Sequence, residues 1–291
     1  MSFGPTHSPL SLRDQHVLIT GGSSGIGLAL ARQSAAAGAR VSLIARDPAK
    51  LAAAQAAVAA VAGGEGRVFT ASADVSVERE ALDALAAAGR VHGPVDILIT
   101  AAGVARPGYF EEVPVAVFER TMAVNFFGTL YLLKAVIPTM RQRARGTVVL
   151  ISSGAGLFGL FGYTPYAPSK FALRGLAEAL RAELQGTGVH VAIVYPPDTE
   201  TPQLAEENRT KPVETKAITA GGGVWSADDV ARVTLRGIAH GRFAITPGLP
   251  ITALAWLHSI LAPVLQWSFD RTARRARRQA GIGHCPPGGA R

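Results

Sequence analysis

The chain has 291 residues, 48% of them apolar, 17% charged, with a net charge of +8, enough for one large domain with a substantial core rather than two. Residues 270–291 hold six arginines and one acid and so carry +5 of that charge; the mildly basic remainder argues against a nucleic-acid surface. A lone cysteine, Cys285, excludes an intrachain disulfide, scattered histidines exclude a metal site, and residues 1–12 lack the basic-then-apolar pattern of an export signal, so secretion is not expected.

After an N-terminal tail (1–13), residues 16–20 (HVLIT) read as a buried strand. It runs into Gly21-Gly22-Ser23-Ser24-Gly25-Ile26-Gly27 and then an Ala/Leu-rich helix, 28–37. Strand, glycine turn and helix in this order form a phosphate cradle. Glycines admit a pyrophosphate to the backbone, and the helix start offers free N–H groups. The second strand, 40–45, ends where such a fold meets the adenosine ribose. An acid there would favour a 2′-hydroxyl, but the chain has Ala45, Arg46 and, one turn on, Lys50. Cations without an acid suit a 2′-phosphate and therefore NADP; a solvated charged helix start, N-capped by Asp47 before Pro48, is the plainer reading.

Strands and helices continue to alternate. A strand at 67–72 leads to Asp74-Val75, a helix spans 77–91, and a strand at 95–100 leads to Ala101-Ala102-Gly103. A long helical stretch, 113–143, carries Asn125; a strand at 146–152 ends beside Ser153. The next helix opens on Tyr166 and runs to 185, and a strand follows at 189–195. Repeated β-α-β units with apolar strands predict an α/β fold, a doubly wound parallel sheet with helices on both faces and ligands at the strands' C-terminal ends. Tyr166 and Lys170 lie four apart, on one helical face, where an ammonium is expected to lower a phenol's pKa. Residues 196–223 read as a long irregular loop over the site, opening on Pro196-Pro197, with a helix at 226–240 and an edge strand at 242–246 beyond it.

These motifs resemble the short-chain dehydrogenase/reductase family over roughly residues 14–247, which implies a Rossmann-type catalytic domain and a nicotinamide cofactor. The resemblance rests on Thr20-Gly21-x-x-x-Gly25-x-Gly27, Asp74-Val75, Ala102-Gly103, Asn125, Ser153 and Tyr166-x-x-x-Lys170. It implies an Asn125, Ser153, Tyr166, Lys170 catalytic group. Tyr166 is then the proton donor and Ser153 the carbonyl's hydrogen-bond donor, chosen over Ser152 by its spacing from Tyr166. Lys170 is expected to bond the nicotinamide ribose, and Asn125 to hold a water that relays protons. Gly21, Ser23, Ser24, Gly25, Ile26, Gly27, Arg46, Lys50, Asp74, Val75, Ala102, Gly103, Tyr166, Lys170, Pro196 and Thr199 form the expected NADPH/NADP+ site. Two departures stand out: Thr100-Ala101-Ala102-Gly103 lacks the usual asparagines, and Pro196-Pro197-Asp198-Thr199 replaces the usual Pro-Gly. The second, with Ala205-Glu-Glu-Asn-Arg-Thr-Lys-Pro212 and the 159–163 segment Gly-Leu-Phe-Gly-Tyr, resembles the 3-ketodihydrosphingosine (3-ketosphinganine) reductases. That resemblance implies a long-chain sphingoid ketone as substrate and a membrane surface as workplace. Another apolar carbonyl (a 3-oxoacyl thioester, steroid or retinoid) and a non-catalytic NADPH-binding scaffold are the competing readings.

An uncharged run of nineteen residues, 251–269, lies within an apolar segment, 248–270, and a basic, flexible tail, 271–291, is expected after it. Length allows a membrane span, but His258, Ser259, Gln266 and Pro263 favour an interfacial helix, or two short ones broken at Pro263, with Trp256 and Trp267 at headgroup depth and the arginines on anionic lipid. A core or dimer helix is the third reading. The interfacial one places the chain on the cytoplasmic side of a membrane, and family habit adds a homodimer or homotetramer. Leu157-Phe158-Gly159-Leu160-Phe161 and the 196–223 loop are expected to wall an acyl tunnel, since each exposed methylene costs about 0.8 kcal/mol.

Overall fold

A computed structural model describes residues 11–220 and 223–281; the expected tail over 1–10 and Cys285 lie outside them. Seven parallel strands pair in the order β3 (Val68–Ser72), β2 (Arg40–Ala45), β1 (His16–Thr20), β4 (Ile97–Thr100), β5 (Gly146–Ile151), β6 (Val189–Val194) and β9 (Ala244–Ile245). Because successive strand residues point to opposite faces, Val17 and Ile19 enter one apolar cluster and Leu18 the other. The chain winds outward from β1 to β3, then returns to place β4 beside β1. That reversal opens a crevice beyond the strands' C-terminal ends, the usual ligand position in such sheets.

Helices α1 (Gly25–Ala36), α2 (Pro48–Ala62) and α9 (Ala227–Ala239) cover one face. The other is covered by α3 (Glu78–His92), α5 (Gly128–Gln142) and α6 (Tyr166–Glu183). Between α4 (Val115–Met122) and α5 the helix widens into a π turn, Ala123–Phe127, which holds Asn125. Among the described residues one helical run, Val115–Gln142, is long and apolar enough to cross a membrane; with 44% of its apolar window buried and α5 packed on α3, it serves as a core element of the domain.

Two expectations are corrected. The stretch expected as an irregular loop, 196–223, contains, within its described residues, β7 (Thr199–Glu200), α7 (Pro202–Thr210) and α8 (Val213–Thr219), and β7 pairs with β8 (Trp225–Ser226). Thr201 caps α7, accepting from the Leu204 N–H at 3.2 Å, with Pro202 at the first helical position; Pro212 both ends that run and starts α8. Residues 249–279 form one long helix, α10 (Leu249–Gln279), so much of the expected flexible basic tail is helical. Its break is at Leu257 (φ −111°, ψ 17°) and not at Pro263.

His16 illustrates how tightly the sheet's N-terminal edge is closed. Its ring nitrogens meet the Gly93 carbonyl and the Ser42 hydroxyl, each at 2.8 Å. Burial, the dominant cause, brings its pKa down to about 4. An unfolded histidine titrates near 6.5, so the stabilisation from neutral His16 is complete above about pH 6.5 and is lost as pH falls toward 4. Denaturant titrations over that range should show stability falling by on the order of 3 kcal/mol, and a His16→Asn variant should flatten the slope.

Candidate active site

The crevice is one continuous cavity of about 930 Å³. At one end, Gly21, Ser23, Ser24, Gly25, Ile26 and Gly27 line it, with Ala102 and Gly103 across the switch point. Gly21 (φ +67°) and Gly25 (φ +52°) occupy left-handed backbone, and a Cβ on Gly21 would sit 2.8 Å from the Ala102 backbone. Only glycine permits that approach. The Thr20 hydroxyl accepts from the Ala102 N–H at 3.1 Å, tying the 100–103 segment to the end of β1. Arg46 and Lys50 are exposed on the rim. Among the described residues the only acid paired with either is Asp47, 3.9 Å from the Lys50 ammonium. Asp74 and Val75 also line the cavity, the Asp74 carboxylate held by Arg120 at 2.7 Å and by Ser76. A glycine cradle at a helix start with two rim cations fits a phosphorylated dinucleotide.

At the cavity's centre stand Ser153, Tyr166 and Lys170. Ser153 and Gln203 flank the Tyr166 phenol, and each favours its ionised form. Ser152 is instead turned into the core, donating to the Lys170 carbonyl at 3.2 Å, so Ser153 is the serine that faces the cavity chemistry. Lys170 donates to the Ile151 carbonyl at 2.9 Å and lies 5.3 Å from the Tyr166 ring centre. The expected lowering of the Tyr166 pKa by Lys170 is overturned. Burial opposes charge on both groups: with the Glu207 carboxylate adding to it, burial raises the phenol above its ordinary value, and it brings the lysine down to about 8. Tyr166 is thus protonated at neutral pH.

Asn125 is fully engaged by the β4–α4 loop. Its Oδ1 accepts from the Val104 N–H at 2.8 Å, and its Nδ2 donates to the Val104 carbonyl and to Ser169 Oγ at 3.0 and 2.9 Å. The side chain therefore positions that loop beside Lys170. Pro196 accepts from the Gly154 N–H at 2.9 Å, and buried Thr199 donates to the Pro197 carbonyl at 2.8 Å, placing both on the cavity wall.

The family model described as short chain dehydrogenase matches residues 15–212. The chain belongs to the short-chain dehydrogenase/reductase family. It is 43% identical to the 3-dehydrosphinganine reductase of Danio rerio and 42% identical to the 3-ketodihydrosphingosine reductase of Bos taurus, each match covering 88% of this chain and 78% of the relative. Among solved structures it is similar to a family member from Burkholderia phymatum in complex with NAD, at 26% identity and a TM-score of 0.78, covering 88% of this chain and 96% of that one.

Two groups of residues in this reductase-like site were not anticipated. Gln203 and Glu207, four apart on α7, face the cavity; Glu207 accepts from the Tyr163 hydroxyl at 2.5 Å and from Gln203 Nε2 at 2.8 Å. Their i, i+4 spacing after a capped Thr201-Pro202 was the available signal, hidden by reading 196–223 as loop. The second group is α10, whose Ile251, Leu254, Val264, Leu265 and Phe269 wall the far end with Phe158 and Leu160. Phe158 meets Phe269 at 5.5 Å between ring centres. The helix is pinned by Arg277, which contacts the fully buried Glu214 at 2.6 Å and lies over the Phe161 ring. Burial would raise the Glu214 pKa, but Arg277 and the Tyr109 hydroxyl, which donates at 3.0 Å, outweigh it and hold the carboxyl below its usual range.

Proposed function

We propose that this chain uses NADPH to reduce the ketone of 3-ketosphinganine to sphinganine. The observation that carries this reading is the continuity of the cavity. The same space that holds the glycine cradle and Tyr166 extends to an apolar wall of aromatic and aliphatic side chains, which suits a long hydrocarbon chain. The names of the similar reductases support the substrate. When bound, the reduced nicotinamide supplies hydride. Tyr166, a neutral phenol, gives its proton to the ketone oxygen as negative charge grows there, and Ser153 donates a hydrogen bond that polarises the carbonyl. Lys170, beneath them, can restore the phenol proton while it is charged. Reduction should therefore lose rate as pH rises through about 8, and a profile flat to pH 10 would contradict that role. Product analysis by mass spectrometry, with 3-ketosphinganine or acetoacetyl thioester offered in mixed micelles, tests the substrate. Sphinganine formation with little thioester reduction is expected.

Arg46 and Lys50 support NADPH over NADH. Because both are solvent-exposed, Arg46→Asp should raise the KM for NADPH by about tenfold to a hundredfold with little change for NADH, read from steady-state rates with each cofactor. We place the protein on a membrane surface. α10 turns one side to the cavity and leaves Trp256, Trp267, Leu257 and Leu249 exposed, at 81%, 59%, 47% and 84%, with arginines on its last turns. Tryptophan at headgroup depth beside basic residues is the pattern of interfacial helices. Co-flotation with anionic vesicles is expected, and it should weaken in a Trp256→Ser, Trp267→Ser variant. Protein left at the bottom of the gradient in both cases would overturn the placement.

A further inference from the structure

Glu207 is a carboxylate only 8% exposed, on the wall of the reaction cavity. Among the described residues it has no ion-pair partner, whereas the similarly buried Glu214 has Arg277 and Asp96 has Arg143 and Arg145. Its partners are neutral: the Tyr163 hydroxyl, which donates to Oε2, and Gln203 Nε2, which donates to Oε1. It also sits close enough to Tyr166 and Lys170 to act on both electrostatically. Lys170, whose ammonium donates to the Ile151 carbonyl, forms no ion pair with it, and a buried carboxylate without a paired cation is costly to keep unless something positive arrives. The aliphatic wall offers nothing positive, and Lys211, a buried lysine at the end of α7, is 3.6 Å from Asp198.

We propose that Glu207 is the subsite for a protonated amine carried on the carbon next to the substrate's ketone. This deepens, and rests on, the reading that the substrate is a 2-amino-3-ketone such as 3-ketosphinganine. An ammonium at Glu207 fixes the ketone's neighbour from one side while Ser153 and Tyr166 hold its oxygen, so the acyl chain is directed toward α10. The carboxylate selects for amine-bearing ketones and against chains of the same length that lack the charge. Glu207 then binds substrate and takes no part in proton transfer.

The test compares 3-ketosphinganine with 1-hydroxyoctadecan-3-one, which keeps the ketone, hydroxyl and chain but lacks the amine. Wild-type protein is expected to prefer the amine substrate by about tenfold to a hundredfold in kcat/KM, the range of a hydrogen bond to a charged group. Glu207→Gln changes the charge felt by Tyr166 and Lys170 on either ketone, so the readout is the ratio of the two kcat/KM values: that ratio should fall to about one in Glu207→Gln, and Glu207→Asp should keep part of it. Equal losses on both ketones would show that Glu207 only shapes the helix, and would overturn the inference. So would a wild-type enzyme with no preference, a result that needs no variant to fold. A wild-type enzyme that reduces neither ketone would instead overturn the substrate reading itself.

Discussion

Replacing Tyr166 by Phe should lower turnover by about a hundredfold to ten-thousandfold, the span of a lost general acid, while NADPH affinity changes little. The phenol is buried, protonated at neutral pH, and flanked by Ser153 and Gln203; among the described residues at the cavity centre no other group offers a proton in the same place. The ring of phenylalanine fills the same volume, so packing against Tyr163 at 5.7 Å is kept. Cofactor binding is read from quenching of protein fluorescence and turnover from NADPH oxidation. Unchanged turnover would mean that the proton comes from elsewhere. Ser153→Ala, which removes a hydrogen bond to the developing charge but no proton, should fall short of that loss.

The second large effect lies at the other end of the cavity. Introducing Leu265→Asp and Phe269→Asp together should cut kcat/KM for an eighteen-carbon ketone by about a hundredfold. Losing apolar contact worth three or four methylenes at about 0.8 kcal/mol each gives that figure. A ketone of four to six carbons, too short to reach α10, should lose less than about threefold on the same scale. Both positions are only half-buried, so the substitutions spare the sheet's core, and NADPH binding at the glycine cradle serves as the folding control. If the long-chain preference survived, α10 would not be the acyl wall.

What the sequence disclosed and what it hid divide along a physical line. β1, β2 and the glycine turn were legible because their constraints are local: an apolar strand, left-handed glycines and a capped Asp47-Pro48 helix start each announce themselves over a few residues. Tyr166 and Lys170 were legible as a helical pair for the same reason. The direction of their pKa shifts was not, because burial is a property of the whole fold and here outweighs the local charge that spacing suggests. The helices within 196–223 were hidden by prolines that read as loop but serve as first-turn residues. Glu207 stayed anonymous because its isolation from cations is visible only once Arg277 has been seen to go to Glu214 instead. Likewise the C-terminal segment reads first as lipid-facing, with a core or dimer helix as the third alternative. Its inner side walls the cavity, a contact between residues far apart in sequence that no periodicity reports.

The most direct measurement uses NADPH carrying two deuteriums at nicotinamide C4, with 3-ketosphinganine in mixed micelles and mass spectrometry of the product. The account predicts sphinganine bearing one deuterium on its C3 carbon, formed in step with NADPH consumption and nearly absent with Tyr166→Phe. Sphinganine without that label, or NADPH left unconsumed while the protein is folded and the cofactor bound, would contradict it.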